Sequence, residues 1–126
     1  MFKFFRNLFL LFILTISSAF AVGDAFDQAV FDQLLKEGKP VLISVYADWC
    51  PTCRAQEIFL KDLLKTPPYN NLQVLRVNFD QQKETVRALK VRMQSTLIVF
   101  KNGKEVGRST ADTDKDSVAL MLRKAL

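Results

Sequence analysis

The chain has 126 residues, with two cysteines, no histidine and a formal net charge of +5 at pH 7. Without histidine, hydrolases of the Ser-His-Asp and Cys-His types lose their usual base, and a conventional zinc or other metal site lacks ligands. The basic residues are interspersed with acidic ones along the chain, so the charge indicates an ordinary solvated surface and no nucleic-acid partner.

The first 21 residues are typical of an export signal. Lys3 and Arg6 supply the charged start, and residues 8–16 form the apolar region that follows. Ala19-Phe20-Ala21 then offers a cleavage site of the small-x-small type. This arrangement predicts that residues 1–21 direct the chain out of the cytoplasm.

We therefore predict a signal peptide cleaved after Ala21 and a single periplasmic domain over residues 22–126. The alternative is an inner-membrane anchor over residues 4–22. Its apolar run is well below the ~20 residues that a spanning helix needs, which favours cleavage.

The first half of the remaining chain predicts a helix, a strand and a second helix. Asp24 is expected to cap the first helix, and Gly38 with Pro40 to end it. Residues 41–47 are nearly all apolar, as in a strand buried on both faces. The second helix is predicted over residues 51–65. In the first helix the apolar residues at helical spacing are Phe26, Ala29, Val30 and Leu34. The second is expected to face Ile58, Phe59, Leu63 and Leu64 inward and to end before Pro67-Pro68.

The second half predicts the order β-α-β-β-α. A buried strand over 72–79 is followed by Asp80, expected to cap a helix that reaches about Lys90. Asn102-Gly103 separates two strand patterns and is a strong signal for a tight antiparallel hairpin. Thr113, with Asp116 three residues later, is expected to open the terminal helix. The buried positions predicted for these helices are Val86 and Leu89, and then Val118, Met121 and Leu122.

Both cysteines lie in Cys50-Pro51-Thr52-Cys53, between the first predicted strand and the second helix. The N-terminus of a helix presents unpaired N–H groups and the positive end of its dipole, which stabilise a thiolate on Cys50. Cys53 on the first turn is then placed to resolve a mixed disulfide, and Pro51 is favoured at the first helical position. The competing interpretation is a structural disulfide, although so short a loop gains little from closure.

The order of these elements, the Cys-x-x-Cys after a buried strand and the Lys-Asn-Gly hairpin resemble thioredoxin. Residues 38–50 are similar to the periplasmic C-terminal domain of the transmembrane disulfide reductase. Residues 49–55 are similar to the membrane-tethered thioredoxin-like reductants of cytochrome c maturation. The resemblance implies an α/β, thioredoxin-like fold with a central mixed sheet of about four strands flanked by helices, in which the first edge strand is absent or very short.

Two positions depart from these families beside the cysteines. Thioredoxins bury an aspartate where this chain has Ser44, so a carboxylate relay at that position is unavailable. The cytochrome-maturation group has a glutamate where this chain has Gln56. Glu57 follows and could face Cys53, but we interpret it as a solvated helix charge.

A third departure lies at Gln94-Ser95-Thr96, where thioredoxins have a cis-proline opposite the cysteines. A cis bond before a non-proline residue costs ~2.5–4 kcal/mol, so we predict a trans Gln94–Ser95 bond. The Ser95 hydroxyl would then approach the sulfurs, and the alternative is a polar loop without consequence. Trp49 would shield the sulfurs and contact a partner, or simply pack.

Together these features predict an extracytoplasmic thiol–disulfide oxidoreductase that exchanges a Cys50–Cys53 disulfide with protein thiols and acts as a reductase. Pro51, Thr52, Trp49 and the loop at 94–96 form the predicted surroundings of the site. No cofactor is required; we expect a monomer that a membrane electron donor recharges. The alternative function is a non-catalytic binding module whose disulfide is structural.

Overall fold

The computed structural model describes residues 22–126, in which helices cover both faces of a five-stranded sheet. The predicted signal peptide lies outside these residues. The strands are β1 (Asp24–Ala25), β2 (Val41–Tyr46), β3 (Gln73–Asn78), β4 (Thr96–Lys101) and β5 (Lys104–Thr110). The helices are α1 (Gln28–Lys36), α2 (Pro51–Leu63), α3 (Lys83–Ala88) and α4 (Lys115–Arg123), with a 3-10 turn at Tyr69–Asn71.

The sheet is mixed and has the strand order β1-β3-β2-β4-β5. β3 pairs in parallel with both β1 and β2, whereas β4 is antiparallel to β2 and to β5. This arrangement confirms the predicted fold class with one strand more than the four expected. The additional strand is β1, only two residues long, in which Asp24 pairs with Leu75.

Side-chain alternation along β2 divides the core into two layers. Val41, Ile43 and Val45 pack with α1 and α3, while Leu42 packs on the opposite face with α2 and α4. β2 is therefore buried on both faces, as its apolar sequence predicted. Because it is the central strand, its carboxyl end holds the following residues against a rigid support.

The prediction that Asp24 caps α1 is wrong. Asp27 is the N-cap, and its carboxylate accepts a hydrogen bond from Val30 N–H at 3.0 Å. The chain before it is engaged in the sheet, since Phe26 N–H donates to the Arg76 carbonyl. The helix consequently begins only after the β1 pairing ends, and Gly38 terminates it with a positive φ of 68° as expected.

Two further caps differ from the prediction. Asn78, not Asp80, organises the turn before α3, because its side-chain oxygen accepts from the N–H groups of Asp80 and Gln81. α3 then begins at Lys83 without a side-chain cap bond. α4 is capped by Asp114 in place of the predicted Thr113, with its carboxylate 2.8 Å from Ser117 N.

The buried faces of the helices were only partly predicted. Ile58 is 72% exposed, because the inward face of α2 is formed by Cys53, Gln56, Leu60 and Leu63. Val30 and Ala29 are likewise exposed, and Phe31 takes the core position of α1. The other predicted inward positions are buried or partly buried, namely Phe26, Leu34, Phe59, Leu63, Leu64, Val86, Leu89, Val118, Met121 and Leu122.

The predicted hairpin is confirmed. Asn102 and Gly103 connect β4 to β5, and both have positive φ, at 50° and 77°. A two-residue turn of this handedness matches the twist of the strands, which explains the Asn-Gly signal. Within residues 22–126, no helix has the length and apolar character needed to cross a bilayer.

Candidate redox site

The two cysteines form a disulfide at the carboxyl end of the central strand. β2 ends at Tyr46, and Cys50 is the N-cap of α2, whose first residue is Pro51. The Cα atoms of Cys50 and Cys53 are 5.3 Å apart. Cys50 Sγ accepts a hydrogen bond from Cys53 N–H at 3.1 Å. A helix N-terminal amide therefore points at the sulfur predicted to be the nucleophile.

Exposure does not distinguish the two sulfurs. Cys50 is 1% exposed and Cys53 4% exposed, and both pack with Ala47 and against Tyr46 and Phe79. What separates them is the helix: Cys50 caps it and Cys53 lies inside the first turn. Because a helix N-terminus favours negative charge, this placement supports Cys50 as the thiolate, which stays a prediction.

The loop before β4 brings Ser95 against the disulfide. Its Oγ lies 3.1 Å from Cys50 Sγ and 3.0 Å from Cys53 Sγ, and the residue is 2% exposed. Within residues 22–126 the only cis peptide bond is Pro67–Pro68, so Gln94–Ser95 is trans. Both the trans bond and the approach of the hydroxyl to the sulfurs are confirmed.

Gln56 holds this loop and was missed as a site residue. Its side chain is 2% exposed, and Nε2 donates to the carbonyls of Ser95 at 3.2 Å and Asp112 at 2.9 Å. An amide suits two carbonyl acceptors, whereas a carboxylate there would be repelled. Its spacing from Cys53 and Leu60, three residues after one and four before the other, is the signal that places it on the inward face.

The other predicted residues of the loop have different surroundings. Thr96 makes no hydrogen bond to the sulfurs. Its hydroxyl donates to the Met93 carbonyl at 2.8 Å and lies 3.1 Å from Thr110 Oγ1, which secures the start of β4. Gln94 has no hydrogen bond to any residue of 22–126, and it is partly exposed next to Ser95. In the motif, Pro51 is exposed and Thr52 partly exposed.

Trp49 lies on the surface next to Cys50 and is 58% exposed. Its Nε1 donates to the Asp80 carboxylate at 2.8 Å. This bond gives Asp80 a role that differs from the predicted helix cap, since it orients the indole at the rim of the site. The exposed indole is available for contact with a partner.

A recess of about 110 Å³ opens beside Cys53 and is lined by Glu57 and Arg76, among others. The prediction of Glu57 as a solvated charge is wrong, because its carboxylate accepts a hydrogen bond from Arg76 Nη2 at 2.6 Å and both side chains are only partly exposed. The Arg76 guanidinium also stacks 3.8 Å over the Tyr46 ring. Arginine within the apolar sequence of β3 was the signal for this missed pair.

A buried cysteine pair that caps a helix after the central strand of such a sheet defines a thiol–disulfide oxidoreductase of the thioredoxin type. The sequence model of the thioredoxin family matches residues 21–124. The chain therefore belongs to the thioredoxin family, and its Cys50–Cys53 pair is that family's redox disulfide.

Individual proteins agree with this assignment. The chain is 36% identical over 84 residues to thioredoxin of Chlamydia trachomatis, covering 67% of this chain and 80% of that protein. It is 40% identical to the thiol:disulfide interchange protein DsbE of Yersinia pestis over 68 residues, 53% of this chain and 32% of that one. The crystal structure of Trxlp from Edwardsiella tarda matches with a TM-score of 0.76 and 42% identity, covering 79% of this chain and 96% of Trxlp.

Proposed function

We propose that this thioredoxin-family oxidoreductase is exported and acts as a reductase of protein disulfides outside the cytoplasm. A membrane electron donor would restore its dithiol form, and the protein would act as a monomer. The fold and the Cys50–Cys53 disulfide support the oxidoreductase activity, whereas the export pattern of residues 1–21 supports the compartment.

The observation that carries the reductase assignment is the uncharged interior of the motif. Helix N-terminal amides stabilise the Cys50 thiolate, but Pro51 and Thr52 add no positive charge between the cysteines. A strongly stabilised thiolate makes the reduced form favourable and the disulfide a strong oxidant. Without that charge, the equilibrium favours donation of electrons to other disulfides.

The surface around the disulfide supports a protein substrate. The backbone of Gln94 makes no hydrogen bond within residues 22–126, and an extended peptide can pair with such a backbone through main-chain hydrogen bonds. Trp49 adds a large exposed aromatic surface on the adjacent rim. The name of the DsbE relative, a thiol:disulfide interchange protein, is consistent with this substrate class.

The proposed reaction proceeds in two exchanges. The Cys50 thiolate attacks one sulfur of the substrate disulfide, forms a mixed disulfide and releases the first substrate thiolate. Cys53 then loses its proton and attacks Cys50 Sγ, which releases the second substrate thiolate and restores the Cys50–Cys53 disulfide. Two electrons pass to the substrate, and two protons end on its thiols, so no cofactor is required.

The reduction potential of the Cys50–Cys53 couple, measured in glutathione or dithiothreitol redox buffers, tests the direction. A reductase should lie near the thioredoxin value of about −270 mV, far below the roughly −120 mV of a strong periplasmic oxidant. Insulin reduction with dithiothreitol tests the activity, with Cys50→Ser as the inactive control. An oxidising potential would overturn the direction, and an inactive wild-type protein would favour the binding module with a structural disulfide.

The compartment has its own test. N-terminal sequencing of the protein from a periplasmic fraction should give Val22 as the first residue. Recovery of the intact chain in membranes would instead identify residues 4–22 as an anchor.

A further inference from the structure

One hydroxyl contacts both redox sulfurs. Ser95 Oγ is 3.1 Å from Cys50 Sγ and 3.0 Å from Cys53 Sγ, and it is buried with them. A serine hydroxyl has one donor hydrogen and lone pairs that accept, so it can serve one sulfur as donor and the other as acceptor at the same time.

Three hydrogen bonds to the backbone of Ser95 fix the position of this hydroxyl. Ser95 N–H donates to the Val45 carbonyl at 2.9 Å. The Ser95 carbonyl accepts from Ala111 N–H at 3.0 Å and from the buried amide of Gln56 at 3.2 Å. These bonds hold Ser95 at a φ of 64°, a region that residues other than glycine seldom adopt. A strained residue held by several bonds and aimed at a reacting atom indicates a functional position.

We propose that Ser95 is a catalytic residue of the exchange reaction, which in the reduced protein donates a hydrogen bond to the Cys50 thiolate and accepts one from the Cys53 thiol. The proposal rests on the proposed function only in assuming that the dithiol form takes part in exchange.

Whether Ser95 favours the reduced or the oxidised pair depends on the charge of the sulfur that accepts its hydrogen bond. A thiolate accepts a hydrogen bond far more strongly than a disulfide sulfur, because charge-assisted hydrogen bonds are about twice as strong as neutral ones. Ser95 therefore stabilises the reduced, singly ionised pair more than the disulfide. It also stabilises the state that reacts, with Cys50 ionised and Cys53 protonated, since the two bonds form a chain from Cys53 S–H through Oγ–H to Cys50 S⁻.

The test is the pH profile of Cys50 alkylation by iodoacetamide in the reduced protein, with labelled peptides assigned by mass spectrometry. Ser95→Ala and Ser95→Gly both remove the hydroxyl, but glycine accepts positive φ freely and alanine does not. If the hydroxyl acts as proposed, the midpoint rises by about one unit in both variants, a roughly tenfold loss of thiolate at low pH. The rate at high pH, where every Cys50 is ionised, should be retained.

The reduction potential gives a second readout. At a pH above both midpoints, where Cys50 is ionised in both proteins, the one-unit rise destabilises the reduced form tenfold and lowers the potential of the couple by about 30 mV. Ser109→Ala is the matched control, because its hydroxyl is also buried but has no hydrogen-bond partner among the described residues. That variant should keep the wild-type midpoint and potential.

Equal shifts in Ser95→Ala and Ser95→Gly would support the proposal. An unchanged midpoint in both variants would overturn it, because the hydroxyl would then not stabilise the Cys50 thiolate. A shift in only one of them would also overturn it, because the change in the backbone and not the loss of the hydroxyl would then be responsible. The alkylation profile needs no protein substrate. A wild-type protein that fails to reduce insulin would therefore refute the proposed function without deciding the role of Ser95.

Discussion

Replacing the buried amide that holds the Ser95 loop should weaken both the fold and the site. Gln56→Leu keeps a side chain of similar size in α2 but removes the donor to the carbonyls of Ser95 and Asp112. The Ser95 carbonyl retains Ala111 N–H, whereas the Asp112 carbonyl loses the hydrogen bond that Gln56 supplies. The loop that contains Ser95 thereby loses the hydrogen bond that joins it to α2.

The loss in the free energy of unfolding can be worked out from the carbonyls of Ser95 and Asp112. Losing the shared bond to Ser95 costs ~0.5–1.5 kcal/mol, and leaving the Asp112 carbonyl without a partner costs ~1–3 kcal/mol. Burying leucine in place of the amide offsets about 1 kcal/mol. We expect a net loss of about 2 kcal/mol in the free energy of unfolding, which lowers the melting temperature of a domain of this size by about 10 °C.

Urea denaturation of the oxidised protein measures this change as a lower midpoint with an unchanged slope. Gln33→Leu is the matched control, because Gln33 also donates a side-chain hydrogen bond, to Glu37, but lies on the exposed face of α1. Surface substitutions of this kind stay within about 0.5 kcal/mol. Equal stabilities for Gln56→Leu and Gln33→Leu would show that the hydrogen bonds of Gln56 do not stabilise the fold.

Three further outcomes are expected. Limiting iodoacetamide should label Cys50 before Cys53 in the reduced protein, because Cys50 caps the helix; preferential labelling of Cys53 by mass spectrometry would reverse the roles. The carboxyl introduced by Gln56→Glu faces two carbonyl oxygens, which raises its pKa. Relative to wild type, the stability of the Gln56→Glu variant in urea should therefore be highest below about pH 4, and it should fall as the pH rises through the raised pKa of the new carboxyl. Arg76→Ala removes both an ion pair and a stacked aromatic partner and should cost about 2 kcal/mol, whereas Arg92→Ala, at an exposed position, should change the urea midpoint little.

Local patterns in the sequence predicted the structure correctly wherever the burial or the backbone freedom of a few adjacent residues determined it. The apolar run of β2, the Asn102-Gly103 turn and the Gly38 terminus were predicted because each depends on the burial or the backbone freedom of a few adjacent residues. The position of Cys50 at the start of α2 was predicted for the same reason, since Pro51 favours the first helical turn.

The errors arose where two local signals competed and a distant contact decided between them. Asp24 and Asp27 both suit a helix cap, but pairing of the preceding backbone with β3 assigns that role to Asp27. The sequence around Asp80 resembles a helix cap, but in the structure its carboxylate accepts a hydrogen bond from Trp49, which is distant in sequence. Hydrophobicity assigned Ile58 to the core, whereas two carbonyls from other loops hold the polar Gln56 there.

By itself, the sequence determined that a Cys-x-x-Cys pair follows a buried strand and begins a helix, because strand burial, proline preference and helix capping act between neighbouring residues. Only the tertiary structure decided what surrounds the sulfurs. Ser95 reaches Cys50 and Cys53 across more than forty residues of chain, and Arg76 meets Glu57 across nineteen. Those contacts depend on how β2, β3 and β4 stack in one sheet with α2 across its face, and no local propensity encodes that arrangement.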